Sequence, residues 1–332
     1  MKTIKIAFSD FIFGANSRDR LAQFNPKSNF LTDLLKLQFE VKVVQQYEAD
    51  ILFYSSFGKK HRDFSGKKIF YTSENVLPDF DECDYAITFC HLPNEPRHLR
   101  LPQYIHYIQN PTELVKGLDY KPEDIVKRKK RFCNFLVSNP RGAERNQFFR
   151  MLNRRKTIDS GGRHFNNLGK VVSDKLSFIK DYKFTLAFEN SSSPGYTTEK
   201  LVEPMLAQSL PIYWGNPDVA RDFNPRSFIN ISEFSNFDAA IDYILKVDSD
   251  DELYLSYLKQ PWFNNNRIPE WFTPEYSSTA LKKFIDAEWS PQPRIYKNRG
   301  LRDHALGTGL KRHLSSAACK IDGLLWKAGW RF

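Results

Sequence analysis

Asn190, Tyr196, Glu199 and Lys200 are the residues whose types and spacing could do chemistry, gathered around the short loop Ser191-Ser-Ser-Pro-Gly195. Residues 184–188 before them, Phe-Thr-Leu-Ala-Phe, are apolar and read as a strand. Residues 198–208 after them have helical spacing, with Leu201 and Met205 on one face. A strand, a polar loop and a helix start make an anion site, because the first backbone N–H groups of a helix have no intrahelical partner. Lys200 in the first helical turn opposes the helix dipole, so an anion such as phosphate is expected to offset it. The plain structural alternative is a surface loop leading into a capped helix.

These residues need an α/β frame to hold them, and the chain supplies one. Strand-like runs at 3–8, 41–44, 51–54, 68–72 and 85–89 alternate with a helix over 29–39 that Ser28 or Asn29 would cap. Alternation of this kind predicts a largely parallel sheet. Residues 131–137 and 210–214 read as further strands, 141–153 and 237–245 as helices, and 248–251 as an acidic turn. The chain is long for one core at 332 residues, so two domains are expected. The basic pair Arg154-Arg155 and Ser160-Gly-Gly162 mark the boundary. The reading is an N-terminal domain over 1–153, a C-terminal domain over 154–290 and a basic tail over 291–332.

Composition excludes a disordered chain: 41% of residues are hydrophobic and 15% aromatic. A net charge of +10 suits an anionic substrate, an anionic membrane surface or nucleic acid. The basic stretch Lys127-Arg-Lys-Lys-Arg131 lacks interleaved aromatics and a nucleic-acid motif, and reads as a solvated helix end; no nucleic-acid partner is expected. Cys83, Cys90, Cys133 and Cys319 form no CxxC pair and no zinc pattern, which fits free thiols in a reducing compartment. No apolar run approaches the ~20 residues that span a bilayer. Residues 297–332 carry eight Lys/Arg at amphipathic helical spacing, with Trp326, Trp330 and Phe332 at the end. Such a tail fits either attachment to anionic lipid or packing back onto the fold.

The run Phe188-Glu189-Asn190, Tyr196-Thr-Thr-Glu199-Lys200 and Pro211-Ile-Tyr-Trp-Gly215 resembles the donor-binding signature of the family 10 α1,3/α1,4-fucosyltransferases, bacterial type. Thr197 replaces the usual aliphatic residue and reads as a neutral change, both types being β-branched. Lys68-Ile-Phe-Tyr-Thr-Ser-Glu74-Asn75 resembles the family's N-terminal acceptor-domain motif, and residues 132–150, with Ser138-Asn139-Pro140 and Arg145-Asn146, its pyrophosphate segment. The resemblance covers roughly residues 65–235.

The resemblance implies a GT-B glycosyltransferase fold, two Rossmann-like α/β domains facing a central cleft. It implies acceptor binding by the first domain and GDP-fucose binding by the second. The activity implied is inverting transfer of L-fucose from GDP-β-L-fucose to N-acetylglucosamine in an N-acetyllactosamine-type bacterial surface glycan, α1,4 or other acceptors being the alternative. A non-catalytic basic module for polyanions or membranes is the reading from another class. Glu74 is implied as the base that deprotonates the acceptor hydroxyl. Arg145 and Lys200 are implied to neutralise the departing diphosphate. Asn190, Tyr196, Ser138 and Asn139 are implied donor ligands. Glu199 could accept from donor hydroxyls, stabilise the oxocarbenium-like fucose, or serve only the helix dipole. No metal is required: Asp79-Phe-Asp81 and Asp248-Ser-Asp250 have metal-binding spacing but lie outside the donor motif, and Mn2+ or Mg2+ is expected to be at most stimulatory. A cytoplasmic enzyme, peripheral on the inner membrane through its tail, is the expected location.

Overall fold

A computed structural model describes residues 1–11, 24–108, 110–291 and 294. Two compact units emerge, each built on an all-parallel sheet. The first contains β1 (Thr3–Ser9), α1 (Phe30–Lys36), β2 (Glu40–Val43), β3 (Ile51–Tyr54), β4 (Lys67–Tyr71), β5 (Tyr85–Thr88) and β6 (His98–Arg100), with strand order β2-β1-β3-β4-β5-β6. All four residues of β3 are buried, as in a parallel sheet covered on both faces. Asn29 caps α1 by accepting from the Thr32 N–H at 3.1 Å.

The second unit contains α2 (Pro122–Arg128), β7 (Arg131–Phe135), α3 (Ala143–Arg155), β8 (Asp159–Ser160), α4 (Lys175–Ile179), β9 (Tyr182–Phe188), α5 (Glu199–Leu206), β10 (Leu210–Trp214), β11 (Ile229–Asn230), α6 (Phe237–Ser249) and α7 (Asp251–Lys259). Its strand order is β11-β10-β9-β7-β8. Phenylalanine fills its core: Phe135 stacks on Phe149 at 4.8 Å, and Phe149 on Phe165 at 4.8 Å.

The division of the chain differs from the sequence reading in two ways. The first unit ends at His106, not at 153, because β7 and α3 belong to the second sheet. The Arg154-Arg155 pair and Ser160 are the end of α3 and the last residue of β8, not a linker. Second, the chain returns to the first unit at Pro269. There α8 (Pro274–Asp286) packs on α1, and Phe284 stacks on Tyr85 at 4.5 Å. The buried Lys67 ammonium donates to the carbonyls of Phe284, Ile285 and Ala287 at 2.8–3.0 Å, capping the end of α8.

The acidic stretch 248–251 is also not a free turn. Helix α6 runs through Ser249, and Asp250 caps α7 by accepting from the Leu253 N–H at 2.9 Å. Lys127 and Arg128 end α2 in solvent as expected, but Lys129 is buried. Its ammonium donates to the carbonyls of Lys180 and Ala207, which cap α4 and α5. No described helix is long and apolar enough to cross a membrane. The basic tail beyond residue 294 and Cys319 lie outside the described residues. Cys83, Cys90 and Cys133 are buried free thiols.

Candidate active site

In the second sheet the chain leaves β7 toward β8 on one side, while β9 leads to β10 on the other. Ligands of open parallel sheets bind outside the carboxyl ends of the strands at such a reversal of strand order. Ser138 and Asn139 follow β7, and Glu189 and Asn190 follow β9, so both segments leave the sheet at that point. Arg145, the third residue of α3 and only 1% exposed, ties them together. Its Nη1 donates to Asn190 Oδ1 at 2.6 Å, and its Nη2 to the carbonyls of Asn139 (2.7 Å) and Arg141. Asn139 also accepts from the Arg141 N–H at 3.0 Å, folding this loop back on itself. Ser138 is exposed at the same edge.

Next to this brace lies a compact charge cluster. Glu189 is fully buried. The Thr198 N–H and hydroxyl donate to its two oxygens at 2.8 and 2.7 Å. The Lys200 ammonium lies 3.4 Å from Glu189 Oε2 and 3.0 Å from Glu199 Oε1, and donates to the Thr198 hydroxyl at 3.1 Å. The anion that the sequence demanded beside Lys200 is therefore supplied by two carboxylates of the protein itself. Burial favours neutral Glu189, and the Glu199 charge adds to it; together they outweigh Lys200 and Thr198 and raise the Glu189 pKa. Burial also opposes ionisation of Glu199, but Lys200 prevails and holds that carboxyl below the usual range. For Lys200 itself, burial is outweighed by the two carboxylates and its pKa rises, with Arg145 near enough to work against the charge.

The loop between β9 and α5 is held by its own chemistry. Pro194 and Gly195 occupy the centre of a turn closed by the Tyr196 N–H donating to the Ser193 carbonyl at 3.1 Å. Gly195 has φ of +83°, the value a type II turn requires at that position. Tyr196 is 6% exposed, so its ring is part of the loop's packing. Asn216 Oδ1 accepts from the Gly195 N–H at 2.7 Å, and its Nδ2 donates to the Thr197 hydroxyl at 3.0 Å. Thr197 is thus not a neutral replacement for an aliphatic residue; its oxygen is used. Asn216 and Glu189 are the residues that sequence reasoning passed over. Glu189 stood in the quoted motif, and Asn216 follows its terminal glycine, but their roles depend on contacts across 9 to 21 residues of chain.

Glu74 lies in the first unit, three residues beyond β4, on an exposed turn. Its N–H donates to the Thr72 hydroxyl at 3.0 Å, and its carbonyl accepts from the Val76 N–H at 2.7 Å. Thr72 is itself fully buried, with its carbonyl bonded by Gln103 Nε2 at 2.8 Å. The turn is therefore anchored while the carboxylate stands at the C-terminal edge of the sheet. Among the described residues, no group of three or more His, Cys, Asp or Glu side chains is arranged to hold a metal. Asp79 closes a turn on the Asp81 N–H at 3.0 Å, and Asp248 pairs with Lys156 and Lys183.

Two Rossmann-like parallel-sheet units, one carrying cations at its switch point, define a GT-B glycosyltransferase. Residues 126–287 match the C-terminal model of glycosyltransferase family 10 (fucosyltransferase), and residues 16–107 match the α-(1,3)-fucosyltransferase FucT N-terminal domain. The chain belongs to this fucosyltransferase family. It is 32% identical over 293 residues to α-(1,3)-fucosyltransferase FucT of Helicobacter pylori, spanning 78% of this chain and 61% of that protein. It is 31% identical over 194 residues to GDP-fucose protein O-fucosyltransferase 3 of Homo sapiens, spanning 53% of this chain and 39% of the other. A crystal structure of α1,3-fucosyltransferase with GDP-fucose superposes with a TM-score of 0.73 at 29% identity, over 89% of this chain and 94% of that one.

Proposed function

We propose that this chain is an inverting α1,3-fucosyltransferase that moves L-fucose from GDP-β-L-fucose to N-acetylglucosamine of an N-acetyllactosamine-type surface glycan. The observation that carries the reading is the cluster of Arg145, Glu189, Glu199 and Lys200 at the switch point of the second sheet. In this reading the donor diphosphate binds there. Lys200 turns from Glu189 to a phosphate oxygen, and Glu189 takes up a proton, for which burial already prepares it. Arg145 places a fixed guanidinium beside the diphosphate and holds Asn190 and the Asn139 loop in register. Ser138, Asn190 and Tyr196 hydrogen-bond the donor. Glu199 stays ionised and faces the positive charge that develops on the fucose ring.

Glu74 removes the proton from the attacking hydroxyl as the new C–O bond forms, and GDP departs from the opposite face. Each cation that stabilises the departing diphosphate contributes on the order of 3–4 kcal/mol to the transition state. Two such groups already serve the diphosphate, and no metal is given a step. The basic sequence 297–332 carries the further expectation of attachment to an anionic membrane.

The test is GDP release from GDP-fucose with and without N-acetyllactosamine or its β1,3-linked isomer. Acceptor-stimulated release is expected from the unaltered chain. Glu74→Gln should lower kcat about 100-fold or more while GDP affinity holds, because proton transfer is lost and little binding. Unchanged turnover in Glu74→Gln would remove Glu74 from the mechanism.

A further inference from the structure

The loop between β9 and α5 holds Asn190 and Tyr196 and leads into Glu199 and Lys200, so its shape decides where those groups stand. It is pinned at its start by Arg145, whose Nη1 donates to Asn190 Oδ1 at 2.6 Å. It is pinned at its end by Glu189, which accepts from the N–H and hydroxyl of Thr198 at 2.8 and 2.7 Å. Both pins belong to the charge cluster, so a bound diphosphate would act on them directly.

A third pin carries no charge. Asn216 is buried just beyond β10, and its side chain reaches across to the middle of the loop. Oδ1 accepts from the Gly195 N–H at 2.7 Å and from the Asp218 N–H at 2.8 Å, and Nδ2 donates to the Thr197 hydroxyl at 3.0 Å. Gly195 and Thr197 flank Tyr196, so Asn216 holds the chain on both sides of that ring. The Asn216 N–H donates to the Tyr213 hydroxyl at 3.0 Å. That hydroxyl lies 3.4 Å from Thr197 Oγ1, which closes a ring of three buried residues. The anchor is stiff: β10 pairs with β9 along its length, and the Glu189 N–H donates to the Trp214 carbonyl at 2.9 Å. At Gly215 a Cβ would fall 2.4 Å from Glu189 Cγ, so glycine lets Asn216 and Glu189 serve one loop side by side. A carboxamide does not titrate, so its bonds do not depend on whether Glu189 is ionised.

We propose that Asn216 is a positioning residue for donor binding. It passes the order of the sheet to the loop and keeps Tyr196 and the start of α5 in place while the neighbouring charges change partners. The role rests on the fucosyl-transfer reading for what the loop binds. A loop already in its binding form costs a ligand less ordering. Where only a fraction of molecules holds that form, apparent affinity falls with that fraction. Removing one such hydrogen bond shifts the loop equilibrium about fivefold, and removing two about thirtyfold.

The experiment measures GDP affinity by calorimetry, donor and acceptor KM, and amide hydrogen exchange at Gly195. It compares the unaltered chain with Asn216→Ala, Thr197→Val and Ile244→Val, each checked for folding by thermal melting. Asn216→Ala should raise the GDP Kd and the donor KM about tenfold, leave the acceptor KM unchanged and speed Gly195 exchange about tenfold. The loss of GDP affinity should be the same across about pH 6–8, because the carboxamide does not titrate. Thr197→Val removes one bond of the clamp and should weaken GDP binding about threefold. Ile244→Val trims the buried core of α6, and should lower Tm while GDP affinity holds, which separates lost stability from a misplaced loop. Unchanged GDP affinity in Asn216→Ala, or a loss matched by Ile244→Val or varying with pH, overturns the proposal. If Asn216→Ala does not fold, an unchanged Kd in Thr197→Val overturns it. If the unaltered chain binds no GDP, the fucosyl-transfer reading falls instead, and Gly195 exchange alone decides whether Asn216 orders the loop.

Discussion

Lys200→Met separates the two tasks assigned to Lys200, as counter-ion and as phosphate ligand. The ammonium sits 3.4 Å from Glu189 and 3.0 Å from Glu199. At an effective dielectric of about 20, each contact is worth about 5 kcal/mol of gross attraction. Most of this is offset by the desolvation of three groups. Losing one partner of a buried pair typically costs about 3–5 kcal/mol, because the other charge is left behind. Glu189 can escape by protonation, at about 1.4 kcal/mol per unit of pKa, so about 3 kcal/mol is expected. For a unit of this size that lowers Tm by roughly 6–12 °C. Glu189→Gln in the same chain removes the stranded charge and should restore most of that stability. Donor affinity should not return with it. A charged hydrogen bond to phosphate contributes about 1.5–3 kcal/mol, so GDP should bind roughly 10- to 150-fold more weakly in both the single and the double variant. Calorimetric GDP titration beside thermal melting reads both quantities. If the double variant regains stability and GDP affinity together, Lys200 is only the counter-ion of Glu189, and the diphosphate role is refuted.

Three further outcomes follow from the geometry. In Gly215→Ala the new Cβ would lie 2.4 Å from Glu189 Cγ, so overpacking should destabilise the chain by about 1–3 kcal/mol and weaken GDP binding; an unshifted melting curve would contradict the packing. Asp10 has a folded-state pKa below its unfolded value of about 3.9, so its contribution to stability is complete above that value and is lost as pH falls through the folded one. Asp10→Asn should therefore be less stable at neutral pH and show a flatter stability profile below about pH 4 in denaturant titrations; an unchanged acid slope would refute it. Because burial raises the Glu189 pKa and a diphosphate would raise it further, GDP binding should take up protons and weaken as pH rises above the usual carboxyl range. Titration heats in two buffers of different ionisation enthalpy measure that uptake, and identical heats would exclude it.

The donor segment was legible in the sequence because its signals are local. An apolar strand, a Ser/Pro/Gly loop and a helix start each announce themselves within a few residues, and β9, the loop and α5 stand where they were expected, while the turn at Pro194-Gly195 and the Thr198 cap come from the fold. The boundary between units was not legible. A parallel strand such as β7 looks the same whichever sheet it joins, and the crossover that assigns it lies outside the strand. The return of α8 to the first unit is equally non-local: Lys67 caps it from more than two hundred residues away. Glu189 illustrates the same limit at the site. Its identity was visible as part of a motif, but its burial beneath Thr198 and its pairing with Lys200 exist only in the folded chain. Thr197 was misjudged because β-branching is a local property and the bond from Asn216 is not.

The two units answer the same topological problem with different charge. Each sheet runs in the order 2-1-3-4-5, counted within its own unit, with one further edge strand in the first. Each carries a buried ionic network beyond the carboxyl ends of strands near the reversal point. In the second unit, Lys200 faces Glu189 and Glu199 with Arg145 near enough to act on its charge, and one of those carboxylates, Glu189, is already biased toward its neutral form. Protonation of Glu189 leaves the cluster with a net positive charge, which a diphosphate can satisfy. In the first unit, Asp10 and Glu82 are both biased toward the ionised form, held by hydrogen bonds to the Lys60 and His61 N–H groups, the His61 ring and Arg62. Those two carboxylates stay ionised and engaged within the protein, whereas Glu189 is the one that the fold biases toward its neutral form. Under the proposed fucosyl transfer, a donor that departs as an anion would use this difference, and it is written in which carboxylates the fold allows to stay ionised.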